Sequence, residues 1–497
     1  MEVDALVDVK RDISEYVDGR LSDLLEELKT GLLVEQTSAH QTNGEIKANI
    51  VPLESARQRG VLTEKRFVVR DSVLTDLLKS SHIRSIYNVF VAVLVVLIMK
   101  SMVQDAFDHG RIDLSFDLIL WCFGKISTVM CLWMLMQGST FVLYVVYNMW
   151  ASNSMTEGMI DYCYLMLYIG YIVGLLIYPL HYIVSNQLPM ATTLIGVAEQ
   201  TRLIMKVHAF VRENIPRALA YKKRAADKRK RQLAEQQADA DAKEKSDSDP
   251  EPTACPDFGC FLYFLFAPTL VYRDSYPRTE RVDWRYVLTN FAQVLGCIFY
   301  CNYLMSHFCI PVFQHFNGEH VTGRTFILGM FQCVLPGTLV LLMGFFAVLH
   351  SWLNAFAEML RFGDRMFYKD WWNSKSFSNY YRTWNVVVHD WLYSYVYCDI
   401  IRLMRLCRQA KSKVARKRSG STGGALVHEY IVTVSLGFFY PVMFVEFFGF
   451  GVLMFYLTGK AQSRGFNVLM WLSLFIGTGF MLCLYSIEHY ARKKLWT

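Results

Sequence analysis

Charged residues are scarce in this chain. Only 19% of its 497 residues are Asp, Glu, Lys or Arg, whereas a soluble domain usually carries about 25%. Hydrophobic residues make up 53% of the chain and aromatic residues 15%. Long stretches contain no charge at all, such as Val89–Met99 and Ile126–Trp150. This composition excludes an ordinary soluble domain.

Two other features are missing. The chain has 12 cysteines but no Cys-x-x-Cys pair, and most of them lie in apolar segments, so we interpret them as small buried apolar residues. The first eighty residues are charged and mixed, without the apolar stretch of a cleavable signal peptide. We find no convincing cluster of metal ligands and expect neither a metal nor a cofactor.

Long apolar runs dominate what is present instead. Crossing a hydrocarbon core of about 30 Å takes about 20 apolar residues in a helix. These runs are too long and uniform for the alternating strands of a barrel, so they predict helices. We place membrane spans near residues 84–104, 117–150, 160–186, 287–312, 325–358, 427–457 and 466–487. Segments 191–213 and 384–406 contain scattered charges and fit interfacial, re-entrant or cavity-lining helices. The predicted fold class is an all-α, polytopic membrane helix bundle with roughly seven to ten spans.

Polar segments flank and interrupt this membrane domain, which we assign to residues 81–490. Residues 1–80 form an N-terminal region, and apolar side chains recur at three- and four-residue steps in its first 35 residues. That spacing predicts an amphipathic helix. The helix is short for a coiled coil, so whether it self-associates stays open. Residues 222–254 are poor in apolar side chains and are predicted to be a disordered loop. Residues 491–497 form a short C-terminal tail.

Basic residues indicate the orientation of the chain in the membrane. They cluster at 57–84, 222–231 and 402–418. Because basic loops stay in the cytosol, we place all three clusters and the N-terminus there. Contact with lipid headgroups accounts for the clusters, and the third could also attract phosphate groups. We expect no nucleic-acid partner.

His428 is the clearest candidate for chemistry. It is followed by Glu429 at the start of a long apolar run. A lone histidine is usually a satisfied core residue, but ionisable groups inside a membrane span are costly and need a reason. An apolar setting favours the neutral imidazole, which is the form that a general base requires. Both readings stay open from the local sequence alone.

Asn385 and His389 lie four residues apart in a segment rich in aromatic residues. On a helix they would share a face, and the asparagine amide could donate to a developing negative charge. The plainer interpretation is a polar helix face at the membrane boundary, and His350 is read in the same way.

The stretch Phe367–Asn373 is the most specific signal in the chain. Four of its seven residues are aromatic, and they surround one acid, one base and one amide. An aromatic belt at the membrane interface explains the tryptophans but not Asp370 and Asn373 among them. A second unusual segment, 261–278, contains Pro268 and Pro277, which block a continuous helix. A loop packed into the protein at membrane depth fits it best.

These motifs resemble the membrane-bound O-acyltransferase superfamily and, within it, the sterol O-acyltransferases. The signature Phe-Tyr-x-Asp-Trp-Trp-Asn is complete at 367–373, the segment 263–278 matches, and a Val-His-Glu-Tyr motif stands at 427–430. Residues 380–393 resemble the sterol branch, whereas the related diacylglycerol acyltransferases typically carry a lysine in place of Asp390. The resemblance covers roughly residues 80–490. The apolar lead-in to His428 is shorter than in the family, so we expect His428 nearer the cytosolic surface or an irregular helix start.

The resemblance implies a role for each candidate residue. His428 would be the catalytic histidine, and Asn385 would be its partner. His389 and His350 would be supporting residues. Acyl-CoA binding would involve Phe367, Tyr368, Asp370, Trp371, Trp372, Asn373, Arg382 and Trp384. The bundle would enclose a reaction chamber, and the N-terminal helix would make the protein a homodimer or homotetramer in the endoplasmic reticulum membrane.

The implied reaction is the acyl-CoA-dependent esterification of a sterol, such as cholesterol, at its 3β-hydroxyl. Acyl-CoA would be a substrate rather than a cofactor. One alternative keeps the chemistry but takes diacylglycerol or a long-chain alcohol as the acceptor. A second is a transporter or channel whose buried histidines relay protons. Transporters often contain internal repeats, and we find none in this sequence, which argues against this alternative. A third is a catalytically inactive sterol-binding or scaffold protein.

Overall fold

A computed structural model describes residues 65–110, 116–153, 158–237, 253–314, 321–400, 413–458, 463 and 465–496. The chain divides into two compact units, Met1–Thr63 and Glu64–Thr497, and the described residues all belong to the second. The predicted N-terminal amphipathic helix lies outside the described residues.

The described part of the chain is built from helices. The principal ones are α1 (Val73–Lys79), α2 (Ser81–His109), α3 (Asp117–Cys122), α4 (Ile126–Ser152), α5 (Gly158–Ser185), α6 (Met190–Gln237), α7 (Phe258–Phe266), α8 (Trp284–Leu304), α9 (Gly323–Phe345), α10 (Phe377–Thr383), α11 (Val386–Trp391), α12 (Lys413–Leu436), α13 (Gly451–Thr458) and α14 (Gly465–Trp496), and shorter helices cover Ile310–Gln314, Leu353–Met359 and Val442–Phe444. Wider π-helical turns prolong three of them, at Met305–Cys309 after α8, Phe346–Trp352 after α9 and Leu392–Tyr397 after α11. A further π-helical turn, Val445–Phe450, leads into α13.

Six described helices are long and apolar enough to cross a membrane, and they confirm six of the seven predicted spans. They cover Ser81–Phe107, Asp117–Ser152, Gly158–Ser185, Trp284–Gln314, Gly323–Met359 and Gly465–Arg492. Helices α4, α5, α6 and α12 pack on one another, and α8, α9 and α14 form a second group of contacts. The predicted all-α, multi-pass class is therefore confirmed.

The seventh predicted span, 427–457, is wrong as a single helix. Helix α12 ends at Leu436, and Gly437 follows with a φ of 77°, a left-handed conformation that only glycine adopts readily. Pro441 has no N–H to continue a helix, and a new helical stretch begins at Val442. The break turns the chain back, so that the residues after Val442 pack beside α12.

The predicted disorder of the loop 222–254 is also wrong in part. Residues 222–237 continue α6, which is 48 residues long, and residues 238–252 lie outside the described part. Alanine, lysine, arginine and glutamine are strong helix formers, so this charged sequence extends the helix. The uncertain segment 191–213 is the first half of the same helix.

Helix α7 is a short buried helix set against α6. Phe261, Phe264 and Leu265 are fully buried, and Asp257 caps the helix by accepting from the Gly259 N–H at 2.8 Å. The helix stops before Pro268, in agreement with the proline signal in the sequence. The last carbonyls of the helix face two basic residues of α6, which donate to them at the negative end of the helix dipole.

Those cations had marked this part of the sequence as unusual for a membrane segment. The ammonium of Lys206 donates to the carbonyls of Phe264 and, at 2.7 Å, Ala267, while Arg202 donates to Leu265 at 2.6 Å. Lys206 is only 2% exposed. The charges inside α6 therefore satisfy the end of α7.

Arg70, just before α1, contacts the loop that follows the short helix Leu353–Met359. Arg70 donates its backbone N–H to Gly363 and accepts from the Arg365 N–H, at 2.9 and 3.0 Å. Its guanidinium pairs with Asp364 at 2.6 Å. This contact fixes the loop that leads directly into the Phe367–Asn373 motif.

Candidate active site

His428 lies on α12 with its side chain exposed rather than covered by other residues. Its Nδ1 is 2.7 Å from the carbonyl oxygen of Gly424, one turn earlier. Because a carbonyl only accepts, Nδ1 must carry the proton in this contact. In the neutral ring Nε2 then has a lone pair, as a general base requires. The helix is continuous from Lys413, so the expectation of an irregular start is wrong.

The ring of His428 is held by an aromatic neighbour from the stretch that follows the Gly437 break. The imidazole stacks on Phe447, with ring centroids 5.1 Å apart and an interplanar angle of 21°. Phe447 also contacts Tyr381 of α10, whose hydroxyl donates to the Phe447 carbonyl at 3.4 Å. Phe447 thereby joins the histidine to the helix that directly precedes Asn385.

The sequence suggested that Asn385 and His389 share a helical face, and this prediction is wrong. The backbone of Asn385 is extended, and this residue is the N-cap of α11, where its Oδ1 accepts from the Val388 N–H at 3.1 Å. Asparagine is among the preferred N-cap residues because its short side chain reaches the first unpaired N–H groups. Capping uses the oxygen and fixes the amide plane, which leaves the Nδ2 group as a fixed donor.

The Phe367–Asn373 motif divides into a buried and an exposed part. Phe367, Tyr368 and Trp371 are at most 2% exposed. Lys369, Asp370 and Asn373 are exposed, and Trp372 is half-buried. The motif is anchored to α14, because the Trp372 carbonyl accepts from Asn467 at 2.8 Å and from Trp471 at 3.1 Å. Its polar residues, rather than its buried aromatic residues, are the ones available to a ligand.

Trp371 lies at the centre of an aromatic cluster. Its ring is 4.5 Å from that of Trp384 and 5.2 Å from that of Phe345. Tyr380 and Trp471 complete the cluster, at 5.9 and 5.4 Å from Trp371. The Trp371 Nε1 is buried and has no hydrogen-bond partner within the described residues. Trp384, which was predicted to take part in acyl-CoA binding, packs here against Trp371 of the motif and directly precedes Asn385.

His350 does not lie on an exposed polar helix face, and that part of the interpretation is wrong. It is 4% exposed, and its Nδ1 lies 2.7 Å from the Tyr368 hydroxyl and 3.4 Å from Ser72 Oγ. Asn354 donates to the Ser72 hydroxyl at 3.1 Å. His350 thus ties the segment before α1 to the motif. Sequence reasoning missed this network because Ser72 and His350 are 278 positions apart.

Arg382 and His389 occupy the outer side of this region. Arg382 is exposed, and its guanidinium donates to the carbonyl and hydroxyl of Ser378. His389 is half-exposed, with Nδ1 3.7 Å from Asp390, and Asp390 forms an ion pair with Lys65 at 2.5 Å. Asp390, the marker of the sterol branch in the sequence, therefore ties α11 to the segment that precedes α1.

Two neighbours of His428 hold α12 in place, and their roles were not predicted. Glu429 is buried and accepts from the Phe444 N–H at 2.9 Å, beyond the Gly437 break. Tyr430 donates to Gln200 of α6 at 2.8 Å. The Val-His-Glu-Tyr motif contained the signal, because its polar residues flank the histidine inside an apolar run.

An apolar cleft of about 310 Å³ lies between α5, α6 and Trp391 at the end of α11. Its lining comes from α5 (Tyr168, Ile169, Ile172, Val173), α6 (Ile204, His208) and Trp391. Its polar end is the contact between the Tyr168 hydroxyl and His208 Nδ1, at 3.2 Å. Trp391 is fixed by donating to the Met205 carbonyl at 2.9 Å.

The chain is similar in sequence to known proteins. The chain is 45% identical over 442 residues to "Sterol O-acyltransferase 1" of Macaca fascicularis, covering 86% of this chain and 74% of that protein. It is 44% identical over 435 residues to the mouse protein of the same name, covering 86% and 75%. It is 40% identical over 487 residues to "Sterol O-acyltransferase 2" of Homo sapiens, covering 98% and 87%.

The model of a protein family gives the broader assignment. The membrane-bound O-acyltransferase family matches residues 139–487, which include both the His428 helix and the Phe367–Asn373 motif. The match spans well over half of the chain, so the chain belongs to the membrane-bound O-acyltransferase family.

Proposed function

We propose that this O-acyltransferase transfers a long-chain fatty acyl group from acyl-CoA to the 3β-hydroxyl of a sterol, with His428 as the general base. The observation that carries the proposal is the 2.7 Å contact between His428 Nδ1 and the Gly424 carbonyl. It fixes the tautomer whose Nε2 can take a proton, on a ring that is exposed to a ligand. The names of the relatives support the sterol as acceptor.

The reaction needs no acyl-enzyme. The sterol hydroxyl oxygen attacks the thioester carbonyl carbon while His428 Nε2 takes the hydroxyl proton. The C–S bond then breaks, and the departing thiolate of CoA takes the proton from His428 Nε2, so the products are a sterol ester and free CoA. The Nδ2 group of Asn385 is the proposed donor to the carbonyl oxygen as negative charge develops there.

Both substrates would meet at this histidine from different directions. The exposed Asp370 and Asn373 are the proposed contacts of the acyl-CoA head with the motif, while the buried aromatic residues hold the motif in shape. A sterol is flat and apolar apart from one hydroxyl, and the cleft beside Trp391 offers aliphatic walls with a polar end. We propose that the sterol approaches through this cleft from the bilayer.

The location and assembly belong to the same proposal. The protein is a multi-pass membrane protein, and we place it in the endoplasmic reticulum with its N-terminus in the cytosol. The amphipathic pattern of residues 1–35 supports a homodimer or homotetramer. Protease protection of an N-terminal tag in microsomes and the mass of the purified particle test the orientation and the assembly.

The decisive experiment offers labelled oleoyl-CoA to the purified protein in lipid nanodiscs, with cholesterol, diacylglycerol or a long-chain alcohol as acceptor. We expect cholesteryl ester alone, and we expect His428→Ala to reduce its formation by about 10²–10⁴-fold without loss of folded protein. Full activity of His428→Ala would remove His428 from the mechanism. A preference for diacylglycerol would overturn the sterol assignment, and ion flux without ester would favour a transporter.

A further inference from the structure

Gln200 of α6 and Tyr430 of α12 form a hydrogen-bonded bridge that begins at a proline in α5. Pro179 lies inside α5 and has no N–H, so the carbonyl of Leu175, four residues earlier, loses its helical partner. Gln200 supplies the replacement. Its Nε2 donates to the Leu175 carbonyl at 2.9 Å and to the Leu176 carbonyl at 2.7 Å.

These two bonds determine which way the amide of Gln200 points. Gln200 is fully buried, and its Nε2 group must face the carbonyls of α5. Its Oε1 is then directed away from α5, where it accepts from the Tyr430 hydroxyl at 2.8 Å. The backbone defect at Pro179 thereby sets the direction of a hydrogen bond to α12, two residues from His428.

The position of Tyr430 on α12 makes this bond a constraint on rotation. With 3.6 residues per turn, side chains two residues apart point about 200° from each other around the helix. Tyr430 therefore holds the side of α12 that faces α6, while His428 projects from the other side onto Phe447. A side-chain tip lies about 6 Å from the helix axis, so a rotation of roughly 10° would move the imidazole by about 1 Å.

We propose that Gln200 and Tyr430 are positioning residues for acyl transfer, holding α12 at the rotation that presents His428 to the reacting atoms. Neither residue is proposed to touch a substrate. The inference rests on the proposed function of His428, because a rotation of α12 affects the rate only if that ring takes part in the chemistry. A displacement of about 1 Å at a reacting group can cost as much as about 10²-fold in rate.

The test uses Tyr430→Phe in the full-length protein in nanodiscs, with oleoyl-CoA and cholesterol. This variant keeps the ring and loses only the hydroxyl that reaches Gln200. We expect kcat to fall about tenfold per folded molecule, while KM for either substrate changes less than about twofold. The pH profile of kcat/KM should keep its shape, because the base is displaced rather than replaced. A purely structural role would reduce the amount of folded protein and leave kcat unchanged.

A matched control and a second variant keep the outcome readable. Tyr303→Phe removes another tyrosine hydroxyl bond between helices, from Tyr303 to the Leu97 carbonyl at 2.7 Å, and should leave kcat unchanged. Gln200→Met combined with Tyr430→Phe should lower kcat no further than Tyr430→Phe alone, since the bond between the two residues is already lost, while the loss of the two bonds to α5 should lower stability. A kcat for Tyr430→Phe equal to that of Tyr303→Phe would overturn the inference.

His428→Ala, measured in parallel, separates the two proposals. If it is inactive while Tyr430→Phe is fully active, the positioning inference fails and the proposed function stands. If His428→Ala remains active, the role of His428 fails first, whatever Tyr430→Phe does.

Discussion

The imidazole of His428 lies nearly parallel to the ring of Phe447, with centroids 5.1 Å apart and planes 21° from parallel. The ring is therefore restrained at two points, by this stack and by the Gly424 carbonyl at 2.7 Å from Nδ1. The two contacts leave one direction for Nε2. An exposed histidine without them would sample several rotamers, of which only some could reach a substrate.

The first prediction concerns this stack. Phe447→Leu keeps an apolar side chain but removes the aromatic pair, which is worth about 0.5–1.5 kcal/mol. If the pair holds the reactive orientation, kcat should fall by about 2–12-fold, since about 1.4 kcal/mol corresponds to tenfold. Initial rates of cholesteryl ester formation at saturating substrates measure it.

Phe448→Leu is the matched control for that variant. It removes a similar stack one residue later, between Phe448 and Phe444, whose centroids are 5.3 Å apart. It should lower thermal stability to a similar extent without changing kcat. Equal kcat losses in the two variants would show that the π-helical turn as a whole, and not the contact with His428, matters.

The second prediction separates the two functions of the Asn385 side chain. Asn385→Asp keeps an oxygen for the Val388 N–H, and aspartate caps as well as asparagine does, so stability should be unchanged. It removes the Nδ2 donor, and losing one donor to a developing oxyanion costs about 10²–10³-fold in kcat. Asn385→Ala should lose both the activity and about 0.5–2 kcal/mol of stability.

Rates and thermal unfolding of the two variants, measured on the same preparations, check this prediction. Wild-type activity in Asn385→Asp would mean that capping is the whole contribution of this side chain. The amide nitrogen would then have no place in the mechanism.

The membrane spans were predictable because a long apolar run allows only one kind of structure in lipid. The break at 437–441 carried a signal too, since Gly437 and Pro441 both stand there, but the apolar composition on each side outweighed it. Asn385 was assigned to a helix interior for the same kind of reason. Its role as a cap depends on where the helix begins, and pattern reasoning places element boundaries less well than the elements themselves.

Contacts between distant parts of the chain left no local signal. Tyr368 was recognised as part of a motif, but its buried partner His350 was assigned to an interface. Lys206 was seen to interrupt an apolar pattern, yet its two acceptors are the carbonyls of a helix that begins more than fifty residues later. The periodicity of one segment indicates which face of its helix is apolar. It does not indicate which distant residues pack against a polar side chain on that face.

The third prediction separates the buried and exposed parts of the Phe367–Asn373 motif. Tyr368→Phe removes the hydroxyl 2.7 Å from His350 Nδ1, inside the protein, and should cost about 1–3 kcal/mol of stability. Asp370→Asn changes an exposed carboxylate and should alter KM for oleoyl-CoA with little effect on stability. Thermal unfolding by tryptophan fluorescence and acyl-CoA titrations give the two readouts. The reverse assignment of effects would contradict the division of the motif.

The fourth prediction concerns Asp390. Its burial alone would raise the pKa of the carboxyl, but His389 and Lys65 beside it bring that pKa below its ordinary value. A carboxyl whose pKa is lowered on folding stabilises the protein above its unfolded pKa, about 3.9, and loses this effect as the pH falls through the lowered value. The pair with Lys65 should therefore be intact at neutral pH and be lost only in strong acid.

Asp390→Asn should accordingly break the ion pair with Lys65 at neutral pH and loosen the segment 65–72. Deuterium uptake of peptides covering residues 65–72 should rise, and Lys65→Met should have the same effect, while the double variant adds nothing. Acceptor preference should stay with cholesterol. A shift toward diacylglycerol in Asp390→Asn would mean that Asp390 acts on the acceptor, rather than through this ion pair.

The fifth prediction concerns the buried cation Lys206. Its ammonium donates to the carbonyls of Phe264 and Ala267 at the end of α7, and Lys206→Met fills the same space without donating. Both carbonyls would be left buried without a donor, and an unsatisfied buried acceptor costs about 1–3 kcal/mol, so we expect a loss of about 2–6 kcal/mol. The yield of monodisperse protein in detergent and its unfolding temperature measure this loss.

Lys375→Met, at an exposed position, is the control for charge removal and should change neither quantity. Whatever Lys206→Met protein remains folded should retain its kcat, because Lys206 contacts the end of α7 and not the His428 helix. A stable but inactive Lys206→Met protein would contradict this account, and would indicate that the ammonium acts on a substrate instead of on the backbone of α7.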